Sequence, residues 1–300
     1  HITRKMTHTE KQHLQMRTVS EAKIINVCAV HSSDKITNKD VLLHFPDKTA
    51  EEITQMTGIE NRFHVTEDEN LLSLATKAAK DVLDKSGLGI EEIDAIICST
   101  GTPDIITPSL ACRVLYNLSE GSRITTQAHD MSAACAGYLY GLQNAFDILA
   151  HKPNANVLLI TAEVLSPLLD KEDFSTAIIF GDAATASLIS NKISNKEGLI
   201  IERPQLSALG EDGSSLFVPT SPENGVVRMK GKKVFIEAVK QMGIMLDKAC
   251  VNINISLNDL DLIIPHQANQ RIIDAIAKRY NLRDGQIFSN IRQFGNTSSN

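Results

Sequence analysis

Asn156-Val157-Leu158-Leu159-Ile160-Thr161-Ala162-Glu163 is an almost unbroken apolar run closed by an acid. A strand with one wet face alternates apolar and polar residues, and one covered on both faces does not. The run therefore predicts a buried strand of the parallel kind within an α/β sheet. Just before it, Leu139, Leu142, Phe146 and Leu149 recur at intervals of three, four and three, one face of a helix. Ile93-Asp94-Ala95-Ile96-Ile97-Cys98-Ser99-Thr100 and Ile24–Val30 read as further buried strands. Leu71, Leu74, Ala75, Ala78, Val82 and Leu83 give a second amphipathic helix over Glu69–Ser86, ended by Gly87, and Pro108 opens a third through Leu118. Thr37-Asn38-Lys39-Asp40 offers the cap of a short helix, and Ala50–Met56 forms another, ended at Thr57-Gly58.

On the other side of the run, Thr176–Phe180 and Ala183–Ser190 read as adjacent strands, with Gly181-Asp182 most simply a tight turn between them. A polar break at Ser194–Gly198 follows. The pattern then resumes: a strand near Leu199–Glu202, a helix from Gly231 to about Val251, a strand at Leu262–His266, a helix over Asn269–Tyr280 and a strand near Ile287-Phe288. Alternating strands and helices argue an α/β fold in two successive halves, residues 21–190 and 191–300, behind a polar tail at 1–20. The second half is expected to be truncated before its final strands.

Of 300 residues, 42% are hydrophobic and 22% charged, enough to bury a large core. A net charge of −6 without a long basic run argues against nucleic-acid binding. No apolar segment approaches the roughly 20 residues that span a bilayer. Five scattered cysteines, Cys28, Cys98, Cys112, Cys135 and Cys250, form no CxxC pair, so neither a disulfide framework nor a metal site is expected. A reducing, cytoplasmic setting fits.

Cys135 stands in Ser132-Ala133-Ala134-Cys135-Ala136-Gly137, at or just inside the start of a predicted helix. The unpaired N–H groups and positive dipole end there favour a thiolate, and small neighbours admit a substrate; a buried core cysteine is the competing reading. Ile263-Ile264-Pro265-His266-Gln267-Ala268-Asn269 ends a strand in a histidine and two amides, at the strand end where α/β folds bind ligands. Gly295-Asn296-Thr297-Ser298 reads alone as a polar turn. Together, Cys135, His266 and Asn296 supply a nucleophile, an imidazole and an amide donor. A thiolate suits capture of an acyl group, and His and Asn N–H groups suit a developing enolate oxygen.

These segments resemble the thiolase superfamily, and within it the β-ketoacyl-acyl-carrier-protein synthase III family. The resemblance spans about residues 21–300 and rests on AACAG around Cys135, IIFGDAA at 178–184, IIPHQANQRI at 263–272 and GNTS at 295–298. It implies two pseudo-duplicated halves in a five-layered αβαβα arrangement, a homodimer, and a Cys135–His266–Asn296 triad. It also implies a ping-pong decarboxylative condensation: an acyl group is loaded on the cysteine, and a malonyl or other β-ketoacyl thioester on acyl carrier protein supplies the carbanion. The family uses neither metal nor redox cofactor. Gly231, Phe235, Ala268, Asn269 and Arg271 match its pantetheine tunnel.

At the tunnel mouth the chain departs from the family. Where relatives stack the adenine of CoA between Trp and Arg, this chain has Glu52 and Met56, and Phe174 stands in place of another CoA-contacting Arg. An acyl donor on a carrier protein, or a longer acyl chain, is expected instead. Thr107 replaces a partner-subunit Phe of the acyl pocket, which leaves more room. The pattern is similar to standalone synthases of resorcinol- or polyene-type lipids, beside the housekeeping fatty-acid role. Arg271, Lys278, Arg279 and Arg283, with Lys230, Lys232 and Lys233, are expected to receive an acidic carrier protein. A hydroxymethylglutaryl-CoA synthase would need Glu where this chain has Thr100, and a non-catalytic partner subunit would lose the nucleophile or its helpers, which are all present here.

Overall fold

The sheet is organised about the strand that opened the reading. The computed structural model describes residues 21–192, 197–219 and 225–300; the N-terminal tail at 1–20 and most of the polar break at 194–198 lie outside the described residues. Strands β1 (Lys23–His31), β4 (Ala95–Ser99), β5 (Gln127–Met131), β6 (Asn156–Glu163), β7 (Ala183–Ser190) and β8 (Leu199–Ile200) form one six-stranded sheet in the order β5-β4-β6-β7-β1-β8. β6 pairs in parallel with β4 and antiparallel with β7, and all eight of its residues are buried. A hairpin of β2 (Asp34–Thr37) and β3 (Asn61–His64) lies apart from this sheet.

Alternation along β4 and β6 feeds two cores. Ile96, Cys98, Leu158 and Ile160 pack with Leu74, Ala78 and Val82 of α2 (Leu71–Ser86) and with Val114 of α3 (Leu110–Leu118). Ala95, Ile97, Val157 and Leu159 face the opposite way, onto Leu142, Ala145 and Leu149 of α4 (Gly137–His151). Both faces are thus covered, as the unbroken run implies. A third cluster gathers Ile53 of α1 (Ala50–Thr57), Ile59, Ile178, Ile179, Phe180 and Ile291. This is an α/β architecture, one mixed sheet with helices on both faces.

Sequence and structure part company at several strands. Thr176–Phe180 is not a strand: Asp173 accepts hydrogen bonds from Ser175 N–H and the Ser175 and Thr176 hydroxyls, starting the short helix Phe174–Ala177. The strand near 199–202 shrinks to β8 and joins the first sheet, beside β1. Leu262–His266 and Ile287-Phe288 meet only in a single parallel bridge, Ile263 to Ile287. The longest elements described beyond the break are α5 (Gly231–Asn252) and α6 (Gln270–Arg279), beside a short pairing of 216–217 with 228–229. No helix among the described residues is long and apolar enough to cross a membrane.

Candidate active site

Cys135 sits in a single 3₁₀ turn, Ala134–Ala136, immediately ahead of α4. The turn is strained, with Ala134 at φ +44°. Gly137 must be glycine here, because a Cβ would lie 2.1 Å from Ser99 Oγ and 3.0 Å from Ser299 Cβ. That close approach presses the start of α4, and the thiol with it, between β4 and the Gly295–Asn300 strap.

The strap is tied down by the IIFGD stretch. Asn296 N–H donates to Ile179 O at 2.9 Å and Gly181 N–H donates to Asn296 O at 3.0 Å, a parallel bridge one residue long. Gly295, at φ +69°, lets the chain pass where a Cβ would stand 2.7 Å from Ile179 O. Asp182, expected as a plain turn residue, is a buried hub: its carboxylate accepts from Val65, Leu165 and Ser166 N–H and from the Ser166 hydroxyl. The motif is therefore the anchor of Asn296. The Asn296 side-chain oxygen accepts Ser298 N–H at 2.9 Å, which fixes the amide and leaves its NH₂ as the donor end.

Ser298 brings the strap to the cysteine, with its Oγ 3.7 Å from Cys135 Sγ. His266, from residues beyond the polar break, acts on the same sulfur by charge. Burial alone would raise the Cys135 pKa; the His266 imidazole and the Ser298 hydroxyl outweigh it and bring the thiol below its ordinary value. Burial alone would likewise lower His266, and the Cys135 sulfur raises it instead. Both directions favour a thiolate–imidazolium pair.

Two further groups are prominent that the sequence reading did not single out as site residues. Glu163, the acid closing β6, is 1% exposed. It accepts from Gly101 N–H with both oxygens (3.1 and 3.0 Å) and from the hydroxyls of Thr102 (3.0 Å), Ser299 (3.0 Å) and Ser298 (3.4 Å). Burial pushes its pKa up to about 7, against those donors. Ser298 is the second, linking Glu163 to Cys135. The one sequence signal was an acid at the end of an otherwise apolar strand.

The remaining expected residues stand farther out. Gly231 opens α5, and the Arg271 guanidinium lies 5.8 Å over the Phe235 ring. Ala268 N–H closes a turn onto His266 O. Asn269 caps α6, its amide accepting from Arg271 N–H and donating to Met56 O. Thr107 is exposed on the loop between β4 and α3. Glu52 is committed to a capping box with Thr49, and Phe174 packs edge-on to Phe45 with the Lys48 ammonium 5.4 Å above it. Lys48 is a cation the sequence reading did not include at that patch.

Family models match in two stretches: 3-oxoacyl-[acyl-carrier-protein] synthase III at residues 129–210, and its C-terminal counterpart at 250–300. The β-ketoacyl-[acyl-carrier-protein] synthase III of Clostridium tetani is 38% identical over 264 residues, covering 82% of this chain and 77% of that protein. The chain belongs to the β-ketoacyl-[acyl-carrier-protein] synthase III family. It is a condensing acyltransferase. The crystal structure of the Aquifex aeolicus synthase III superposes with a TM-score of 0.82 at 35% identity, covering 93% of this chain and 87% of that one. The priming β-ketosynthase of the R1128 polyketide biosynthetic pathway gives 0.81 at 27% identity, covering 93% and 84%.

Proposed function

We propose that Cys135 is the acyl acceptor and that His266 and Asn296 serve the condensation. The observation that carries this is the strap that brings Asn296 and Ser298 to the turn bearing Cys135, with Ser298 Oγ 3.7 Å from the sulfur; the directions in which Cys135 and His266 draw each other, toward thiolate and imidazolium, agree with it. The thiolate attacks a thioester carbonyl, the bond to the carrier's sulfur breaks, and the imidazolium proton leaves with the departing carrier thiol. Once the sulfur is acylated, the charge that raised His266 is gone and burial alone acts on it. The imidazole is then neutral and keeps one ring N–H, here taken at Nε2, as a donor. A malonyl thioester loses CO₂ with its enolate oxygen between His266 Nε2–H and Asn296 Nδ2–H; the carbanion attacks the acyl-enzyme carbonyl, and Cys135 leaves.

The donor proposed is an acyl-carrier protein or a longer acyl chain, since Glu52 and Phe174, which take the place of CoA-binding residues, are engaged in a cap and in packing. The carrier would meet Lys230, Lys232, Arg271, Lys278 and Arg279. Arg283 belongs to the scaffold, donating to the carbonyls of Asn258 and Leu260, and Lys233 pairs with Asp212. A homodimer is supported by β5, an edge strand with β4 as its one sheet neighbour among the described residues, and by Ile106 beside Thr107, 94% exposed. Five free cysteines fit a cytoplasmic setting. The role proposed is fatty-acid or specialised lipid synthesis.

Mass spectrometry of the intact protein after exposure to panels of acyl-carrier proteins and acyl-CoAs tests this. One acyl adduct is expected, lost in C135A, slowed in H266A and kept in N296A, which loads but does not condense. An unmodified wild-type protein would overturn the assignment and favour an accessory subunit. Efficient loading by acetyl-CoA would overturn the choice of donor.

A further inference from the structure

Ser298 holds one hydroxyl hydrogen and stands between two claimants, the Glu163 carboxylate at 3.4 Å and the Cys135 sulfur at 3.7 Å. The hydroxyl cannot donate to both at once. Ser298 is held in place by its own N–H on Asn296 and by a backbone at φ +60°, so it serves as a fixed relay. The carboxylate is equally fixed, bonded by Gly101, Thr102 and Ser299 and sealed from solvent at the end of β6.

We infer that Glu163 is a positioning residue that, through the Ser298 hydroxyl, sets how much of Cys135 stands as thiolate. An ionised Glu163 claims the Ser298 hydrogen and places a negative charge behind the sulfur, both of which favour the thiol. A neutral Glu163 releases that hydrogen to the sulfur and removes the charge. Three titratable groups meet here: Glu163 from β6, Cys135 from the turn before α4, and His266 from the second half. Asp182 follows the same strand register, beside the Ala183 that pairs with Glu163, but its carboxylate is spent on Val65, Leu165 and Ser166. Burial lifts the Glu163 pKa to about 7, so the switch operates near neutral pH. Cys135 would hold its thiolate most readily when Glu163 is protonated and His266 charged, and ionisation of Glu163 would make the rise of thiolate with pH shallower.

The inference rests on Cys135 as the acyl acceptor, but alkylation reads the sulfur directly and needs no acyl transfer, so the two can fail separately. The full-length protein is labelled with iodoacetamide across pH 5–9, and modification of Cys135 is followed by peptide mass. The midpoint is the readout, because intrinsic nucleophilicity falls as a thiol's pKa falls. E163Q keeps the side chain's shape and is expected to move the midpoint down by about half a pH unit, about threefold more thiolate below it. An E163Q profile that superposes on the wild type overturns the inference. Should E163Q fail to fold, S298A decides: loss of the relay is expected to move the midpoint up by a similar amount, and an unchanged S298A profile overturns the inference.

Discussion

Two stretches of this chain, residues 21–190 and 225–300, bury their elements to different extents, and the candidate site draws on both. In the first, β6 is paired on both edges and buried along its whole length, and two cores interlock through it. In the second, Gly243 is the one fully buried residue of the 22-residue α5, Val251 is 81% exposed and Ile264 71%. Cys135 and, through IIFGD, Asn296 are anchored on the first half; His266 arrives from the second. The nucleophile is therefore framed by buried strands, and its activating imidazole comes from the more exposed stretch.

The comparison breaks most visibly in the core. Leu159 is 1% exposed and lies against Gly141 on α4. Leu159→Ala removes buried methyl groups and leaves a cavity, an expected loss of about 3–4 kcal/mol in urea unfolding, whereas Ile264→Ala should stay within about 0.5 kcal/mol. Equal losses at the two sites would erase the distinction between the halves.

Next comes a pH-dependent difference on the buried side. The Glu163 pKa is raised in the fold, to about 7 from 4.5, so the fold prefers the protonated acid. Its stabilising contribution is complete below about pH 4.5 and is lost as pH rises toward and through 7. Glu163→Gln does not titrate. The stability of wild type relative to E163Q should therefore fall by up to about 3 kcal/mol between pH 5 and pH 8, measured by urea midpoints at fixed slope. A pH-independent difference would show that the four kinds of donor around Glu163 hold its pKa near normal.

Arg62 gives a smaller effect aimed at the strap. It is fully buried, donating to Asn38 Oδ1 at 2.8 Å and to Ile178 O at 2.7 Å, one residue before the carbonyl that holds Asn296. Burial lowers its pKa to about 10, still charged at neutral pH. Arg62→Lys keeps the charge but cannot span both acceptors, so about 2 kcal/mol of stability is expected to go. If Asn296 serves condensation, product formation should fall while acyl loading of Cys135 persists; a parallel loss of both would place Arg62 under the whole site.

How much was legible in the sequence follows the same division. β6, α2 and α4 were readable because each buries its own pattern against neighbours that are also regular. The strand read at Thr176–Phe180 failed because a local cap from Asp173 outweighs the apolar run Ile178-Ile179-Phe180, whose residues are buried without a full ladder. Leu262–His266 is apolar enough for a strand, but a ladder needs a second strand, and the residues that could pair with it meet only at Ile263. Cys135, His266 and Asn296 were visible as chemistry in motifs. Glu163 was not, since the partners that give it meaning, Gly101, Ser298 and Ser299, lie 62, 135 and 136 positions away. A hub of this kind is written in topology, not in spacing.

The smallest expected effect probes a joint between the halves. Asn269 caps α6 with its Oδ1 on Arg271 N–H at 2.9 Å, and its Nδ2 crosses to Met56 O at the end of α1 at 3.1 Å. The two roles separate by reach. Asn269→Ser keeps a capping oxygen but is too short to meet Met56, whereas Asn269→Ala loses both. Loss of the cap alone costs about 1 kcal/mol. Amide exchange in the first turn of α6 should accelerate in N269A and recover in N269S. Exchange at Gly58, whose N–H ends α1 on Thr54 O, should accelerate in both if the cross-link steadies that corner. Since His266 lies three residues ahead of Asn269, loosening the joint should also lower the rate of Cys135 alkylation at pH 7 in both variants. If N269S alkylates like wild type while Gly58 exchange is accelerated, the cap alone positions His266, and the more exposed stretch needs no support from α1 to deliver its imidazole.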